Sequence, residues 1–155
     1  MGGVSPRFLI VDGHSVIYAW PELRTLHQGR PREARETLIR RLERFHDVGT
    51  WEVTVIFDGR SGTPPPRRPG DMVVAYSRKD QTADSVIEGM VAGHPNRQAI
   101  TVVTADHAER TTVEALGGFC ASPEWLRLEM AAAQVDFEED FRQFRRHKGG
   151  GERGV

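Results

Sequence analysis

The chain is 155 residues long, enough for one domain around one core. Its 21 basic and 22 acidic residues leave a formal net charge of −1, which argues against a partner held by bulk charge alone. A single cysteine, Cys120, excludes an internal disulfide framework and a thiolate zinc site, fits a reducing compartment, and reads as a small core residue.

Residues 8–11 form a short apolar run, Phe8-Leu9-Ile10-Val11, that stops at Asp12-Gly13. It is too short for a membrane span or a signal peptide, so a soluble, cytoplasmic protein is expected. Such a run suits a strand buried on both faces. Residues 32–46 carry Leu38, Ile39, Leu42 and Phe45 at helical spacing. Residues 51–57 (WEVTVIF) are rich in β-branched side chains and predict a second strand, closed by Asp58-Gly59. Pro64, Pro65, Pro66, Arg67 and Arg68 mark an exposed loop, and residues 72–76 (MVVAY) a further strand.

Residues 83–91 place Ala83, Val86, Ile87, Met90 and Val91 on one helical face, with Thr82 as the N-cap. Residues 100–104 (ITVVT) predict a strand that leads into Ala105-Asp106, and residues 108–116 a short helix. A brief edge strand is expected at 118–120. Ser122-Pro123 then reads as an N-cap followed by proline, opening a helix that runs to about residue 146. One domain is expected over residues 1–147, with 148–155 a disordered tail. Strands alternating with helices imply an α/β fold with a mostly parallel sheet of four or five strands.

In such a sheet ligands bind beyond the carboxyl ends of the strands. Asp12, Asp58 and Asp106 each follow a predicted strand, and strands only about 4.8 Å apart let such acids converge. Asp84 and Glu88, four apart, stack on one face of the 83–91 helix. Crowded carboxylates repel, and a hard divalent cation, Mg²⁺ or Mn²⁺, relieves the repulsion. An aspartate after a strand also serves as a helix cap or turn residue, which fits Asp58-Gly59 best. The chain has no phosphate loop, no dinucleotide fingerprint and no nucleophile elbow, and its histidines lack zinc spacing.

The stretches Asp12-Gly13-His14-Ser15-Val16-Ile17-Tyr18-Ala19-Trp20-Pro21, Val55-Ile56-Phe57-Asp58-Gly59, residues 76–88 with Thr82-Ala83-Asp84 and Ile87-Glu88, and Val102-Val103-Thr104-Ala105-Asp106 together resemble the YacP-like NYN-domain family, as do Gly117-Gly118 and Ser122-Pro123-Glu124. The resemblance spans residues 7–145. It implies a three-layer α/β/α PIN-like domain and a Mg²⁺- or Mn²⁺-dependent endoribonuclease acting in RNA turnover or processing. By position it implies that Asp12, Asp84 and Asp106 hold metal, with Glu88 as a fourth catalytic candidate. Ser15, Thr104 and Asp58 are expected to support them. The family opening usually reads Asp-Gly-Tyr-Asn, where this chain has His14 and Ser15, and serine reaches less far than asparagine.

RNA is the expected partner, free or carried by a ribosome or other ribonucleoprotein. Arg60, Arg67, Arg68, Arg78 and Lys79 are candidates for holding it, as is the basic group Arg142, Arg145, Arg146 and Lys148. Tyr18 and Trp20 are candidates for base stacking. The alternative reading is an RNA-binding or adaptor domain without efficient catalysis, favoured by Ser15. A haloacid-dehalogenase-like phosphatase would need a second aspartate where His14 stands.

Overall fold

A computed structural model describes residues 6–59 and 66–133 of the chain. Five parallel strands form one sheet in the order β3-β2-β1-β4-β5. They are β1 Phe8–Asp12, β2 Glu52–Phe57, β3 Val73–Tyr76, β4 Ile100–Val103 and β5 Phe119–Ala121. The central strands are buried on both faces, which is why β1 reads as an unbroken apolar run and β4 is interrupted only by half-buried Thr101.

Between β1 and β2 lie α1 Gly13–Ala19, α2 Pro21–Gly29 and α3 Pro31–Asp47. Between β3 and β4 lies α4 Ala83–Gly93, and between β4 and β5 lies α5 His107–Ala115. A sixth helix, α6, is described over 123–133. Ser122 caps it as its sequence suggests, its hydroxyl accepting from the Trp125 N–H at 3.0 Å.

Two hydrophobic clusters cover the two faces of the sheet. Leu9, Val11, Val53 and Val55 pack with Ile17, Leu23, Leu38, Leu42 and Leu126 of α1, α2, α3 and α6. Ile10, Ile56 and Val102 pack with Ile87 and Val91 of α4 and Val113 of α5. A fully buried leucine such as Leu42 contributes roughly 1.5–3 kcal/mol by leaving water. The result is the three-layer α/β/α domain expected from the sequence.

Two helices escaped the sequence reading. The chain from Gly13 to Gly29 forms α1 and α2, joined by Trp20 alone, which ends one helix and starts the next. Pro21 forces the break between them, since proline fits the first turn of a helix but not its interior. The two pieces are too short to show a clear period.

Candidate active site

The strand order reverses at β1, with β2 on one side and β4 on the other. The crevice beyond the carboxyl ends of β1 and β4 is therefore the natural ligand site. An open cleft of about 880 Å³ lies there, lined by Asp12, His14, Ser15, Tyr18, Ala19, Asp58, Gly59, Ala83, Asp84, Ala105 and Asp106.

Asp12 is the last residue of β1 and is buried. Gly13 follows because nothing larger fits: a Cβ there would stand 2.4 Å from Cε1 of Phe57. Ser15, on the first turn of α1, donates its hydroxyl to Asp12 Oδ2 at 3.0 Å. It also accepts from the Ala105 N–H at 3.1 Å, so one hydroxyl ties the end of β1 to the loop after β4. Thr104, buried at the end of β4, has its hydroxyl 2.8 Å from Glu109 Oε2 and 3.4 Å from Asp12 Oδ2. That hydroxyl accepts from the Asp106 N–H at 3.0 Å.

Asp84 arrives from the other side of the crevice. Thr82 caps α4, its hydroxyl accepting from the Ser85 N–H at 3.1 Å while Ser85 answers the Thr82 N–H. This fixes Asp84 in the first helical turn, facing the cleft. Donor oxygens of Asp12, Asp84 and Glu109 all lie within 4.8 Å of one another.

Glu109 is the residue the sequence reading missed. The sequence points to Asp106 as the third member, but its Oδ1 accepts from the N–H groups of Ala108 and Glu109, capping α5. One oxygen of the carboxylate is committed to its own helix, and Asp106 lines the cleft outside the close group. Glu109 stands at the third position of α5. Helical side chains lean toward the N-terminus, so it reaches back under Thr104 toward Asp12.

Glu88 stands apart as well. It is half-buried one turn beyond Asp84, about 6 Å further along α4, and it lines no part of the cleft. Asp58 lines the cleft from the β2 side, where it accepts from the Ser77 hydroxyl at 2.9 Å. Ser77 also receives the Gly59 N–H at 3.0 Å, so Asp58 braces the turn after β2.

The electrostatics follow from this crowding. Burial, then the charge of Asp12 and that of Asp84, push the Glu109 carboxyl up to about 9, against the pull of the Thr104 hydrogen bond. Asp84 is also raised, first by burial and then by Asp12, Asp106 and Asp58. Glu109 Oε1 is buried with no hydrogen-bond partner. An all-oxygen donor set with mutual repulsion and one orphaned buried oxygen fits a hard divalent cation. His14, at the cleft wall, is held below the ordinary imidazole range by burial, against the charges of Asp12 and Asp58.

Of the basic candidates, Arg67, Arg68, Arg78 and Lys79 are exposed and line no part of the cleft. The Arg67 guanidinium donates to the Asp71 carbonyl at 2.9 and 3.1 Å, which folds the loop on itself. Arg60, Arg142, Arg145, Arg146 and Lys148, like the proposed tail and the expected run of the last helix from 134 to 146, lie outside the described residues. Trp20 is buried and donates to the Pro123 carbonyl at 3.0 Å, which removes it as a stacking residue. No helix among the described residues is long and apolar enough to cross a membrane.

The family match sets this parallel sheet, with carboxylates converging at its switch point, in the class of PIN-like nuclease domains. Residues 9–153 match the model of the YacP-like NYN domain, and the chain belongs to that family. It is 27% identical over 146 residues to the YacP protein of Bacillus subtilis (strain 168), covering 92% of this chain and 86% of that one. The crystal structure of Rae1 (YacP) from Bacillus subtilis aligns with a TM-score of 0.73 at 25% identity, over 93% of this chain and 84% of that one. A point variant of the same protein aligns with a TM-score of 0.76 at 26% identity, over 90% and 84%.

Proposed function

We propose that this domain is a metal-dependent endoribonuclease that hydrolyses RNA phosphodiester bonds in RNA turnover or processing. The observation that carries the reading is the meeting of Asp12, Asp84 and Glu109 within 4.8 Å at the sheet's switch point. Family membership adds nuclease-type chemistry and an RNA substrate as the natural expectation.

Asp12, Asp84 and Glu109 would hold the cation, Mg²⁺ or Mn²⁺, with Asp106 at the rim. When bound, such an ion neutralises the carboxylates, polarises a phosphate oxygen and acidifies water at neutral pH. The chain's own groups set the stage. Ser15 orients Asp12 through its hydroxyl, and Thr104 fixes Glu109 while reaching toward Asp12. Asp106 caps α5 and so holds Glu109 at its depth. Asp58, tied to Ser77, closes the β2 side of the cleft. Hydrolysis adds water across the P–O3′ bond and leaves a 5′-phosphate and a 3′-hydroxyl.

The test is cleavage of mixed RNA with Mg²⁺, with Mn²⁺ and with chelator, by the wild type and by Asp12→Asn. Cleavage that needs the cation and falls by about a hundredfold or more in Asp12→Asn, with melting preserved, supports the reading. RNA bound but not cleaved under any of these cations, or near-normal turnover by the variant, contradicts it.

A further inference from the structure

We infer that Tyr18, backed by His14 and His27, is a stacking platform that holds one unpaired base of an RNA strand beside the carboxylate cluster. The inference rests on the endoribonuclease reading and adds to it the form of substrate, a single strand.

Helix α1 leaves β1 at the cleft, so its outward face overlooks the carboxylates. Val16 and Ile17 of this helix are buried, and so is Trp20 just beyond it. Tyr18 is 53% exposed and lines the cleft. The fold thus hides the large apolar side chains here and leaves the Tyr18 ring open at the rim of a charged site.

The ring does not stand alone. His14, one helical turn back, lies nearly parallel to it, with centroids 6.2 Å apart and 27° between planes. The His27 ring of α2 meets Tyr18 edge-on at 5.2 Å and His14 at 6.2 Å. His14 in turn stands edge-on to Phe57 at 6.1 Å. Buried Phe57 anchors the group to the sheet, so the platform is braced before any ligand arrives. Arg35, half-buried on α3, lies near His14 and brings positive charge to this side of an otherwise acidic cleft.

A cleft lined by Asp12, Asp58, Asp84 and Asp106 is a poor seat for an apolar protein segment. With the proposed cation held among those carboxylates, it is a seat for a flat heteroaromatic group joined to a phosphate. Every base has a π-face, and stacking on tyrosine is tolerant of sequence. In an A-form duplex the base faces are covered by their neighbours, so the platform selects unpaired nucleotides.

The test is binding of a labelled single-stranded RNA and of a blunt RNA duplex, followed by fluorescence anisotropy. The non-cleaving Asp12→Asn protein is compared with the same protein carrying Tyr18→Ala or Tyr18→Trp. The expected result is single-strand binding weakened about fivefold or more by Tyr18→Ala and restored by Tyr18→Trp, with duplex binding and melting temperature unchanged. Equal single-strand affinity with and without the ring, an equal loss for duplex, or no RNA binding by the parent overturns the platform. Metal-dependent cleavage by the protein with its natural Asp12 is scored separately. Cleavage with no effect of Tyr18→Ala on binding sinks the platform alone. A ring-dependent affinity without cleavage sinks the nuclease reading alone.

Discussion

Glu22 and Glu109 show how one side chain takes opposite roles on the two faces of the sheet. Glu22, on α2, is 3.0 Å from the Arg41 guanidinium and 2.7 Å from that of Arg127. Burial opposes its charge, but hydrogen bonds from Arg127, its own backbone N–H and Arg41, with the Arg127 charge, together hold the carboxyl below its usual range. Glu109, on α5, is buried among Asp12 and Asp84 and is pushed up to about 9. The first glutamate is supplied with cations by the fold; the second is left needing one. A domain that satisfies its charges at one place and stacks like charges at another has a use for the repulsion.

The largest effect should follow from breaking the unpaired side. In Glu109→Gln, cleavage is expected to fall about a hundredfold or more, and stabilisation by Mg²⁺ should disappear. The pH dependence of the cation-free protein checks the same point. The folded Glu109 holds its proton up to about 9, against an ordinary value of 4.5. Between these values the folded protein binds a proton that the unfolded chain has released, so stability falls as pH rises across that window. Thermal melts of the wild type without cation should show this decline. Glu109→Gln should flatten it, and so should added Mg²⁺.

A smaller effect should come from disturbing the platform under Asp12 without touching a charge. Gly13→Ala drives a Cβ into the Phe57 ring, at an expected cost of roughly 1–3 kcal/mol in denaturant titrations. The smallest effect belongs to the satisfied side. Glu22→Gln removes two partly exposed ion pairs, so a loss under about 1 kcal/mol is expected, shrinking further in high salt, with cleavage unchanged.

The sequence carried the frame of this comparison further than its chemistry. β1 was readable as a continuous apolar run, and β2 and β4 as stretches rich in β-branched residues. Asp12 was readable because it ends one of them. Asp84 was readable because it shares a face of the 83–91 helix with Glu88 and falls in the Thr82-Ala83-Asp84 stretch of the family pattern. Glu109 was not, because strand ends and helix faces point to Asp106 first. The available signal was the Asp106-x-x-Glu109 spacing, a helix cap with a glutamate at the third helical position. That glutamate ordinarily folds back on the cap's own N–H group. Here Thr104, five residues earlier, takes it instead, and the same hydroxyl receives the Asp106 N–H. Glu88 drew attention by its spacing from Asp84, yet spacing along a helix face says nothing of distance from the cleft.

The central claim is that Asp12, Asp84 and Glu109 share one divalent cation. Anomalous diffraction from crystals of the full chain soaked in Mn²⁺ tests it most directly. The account predicts a peak bounded by carboxylate oxygens of these three residues, lost in Glu109→Gln. Mn²⁺ found only at Asp58 or Asp106, or absent from the cleft at saturating concentration, would contradict it.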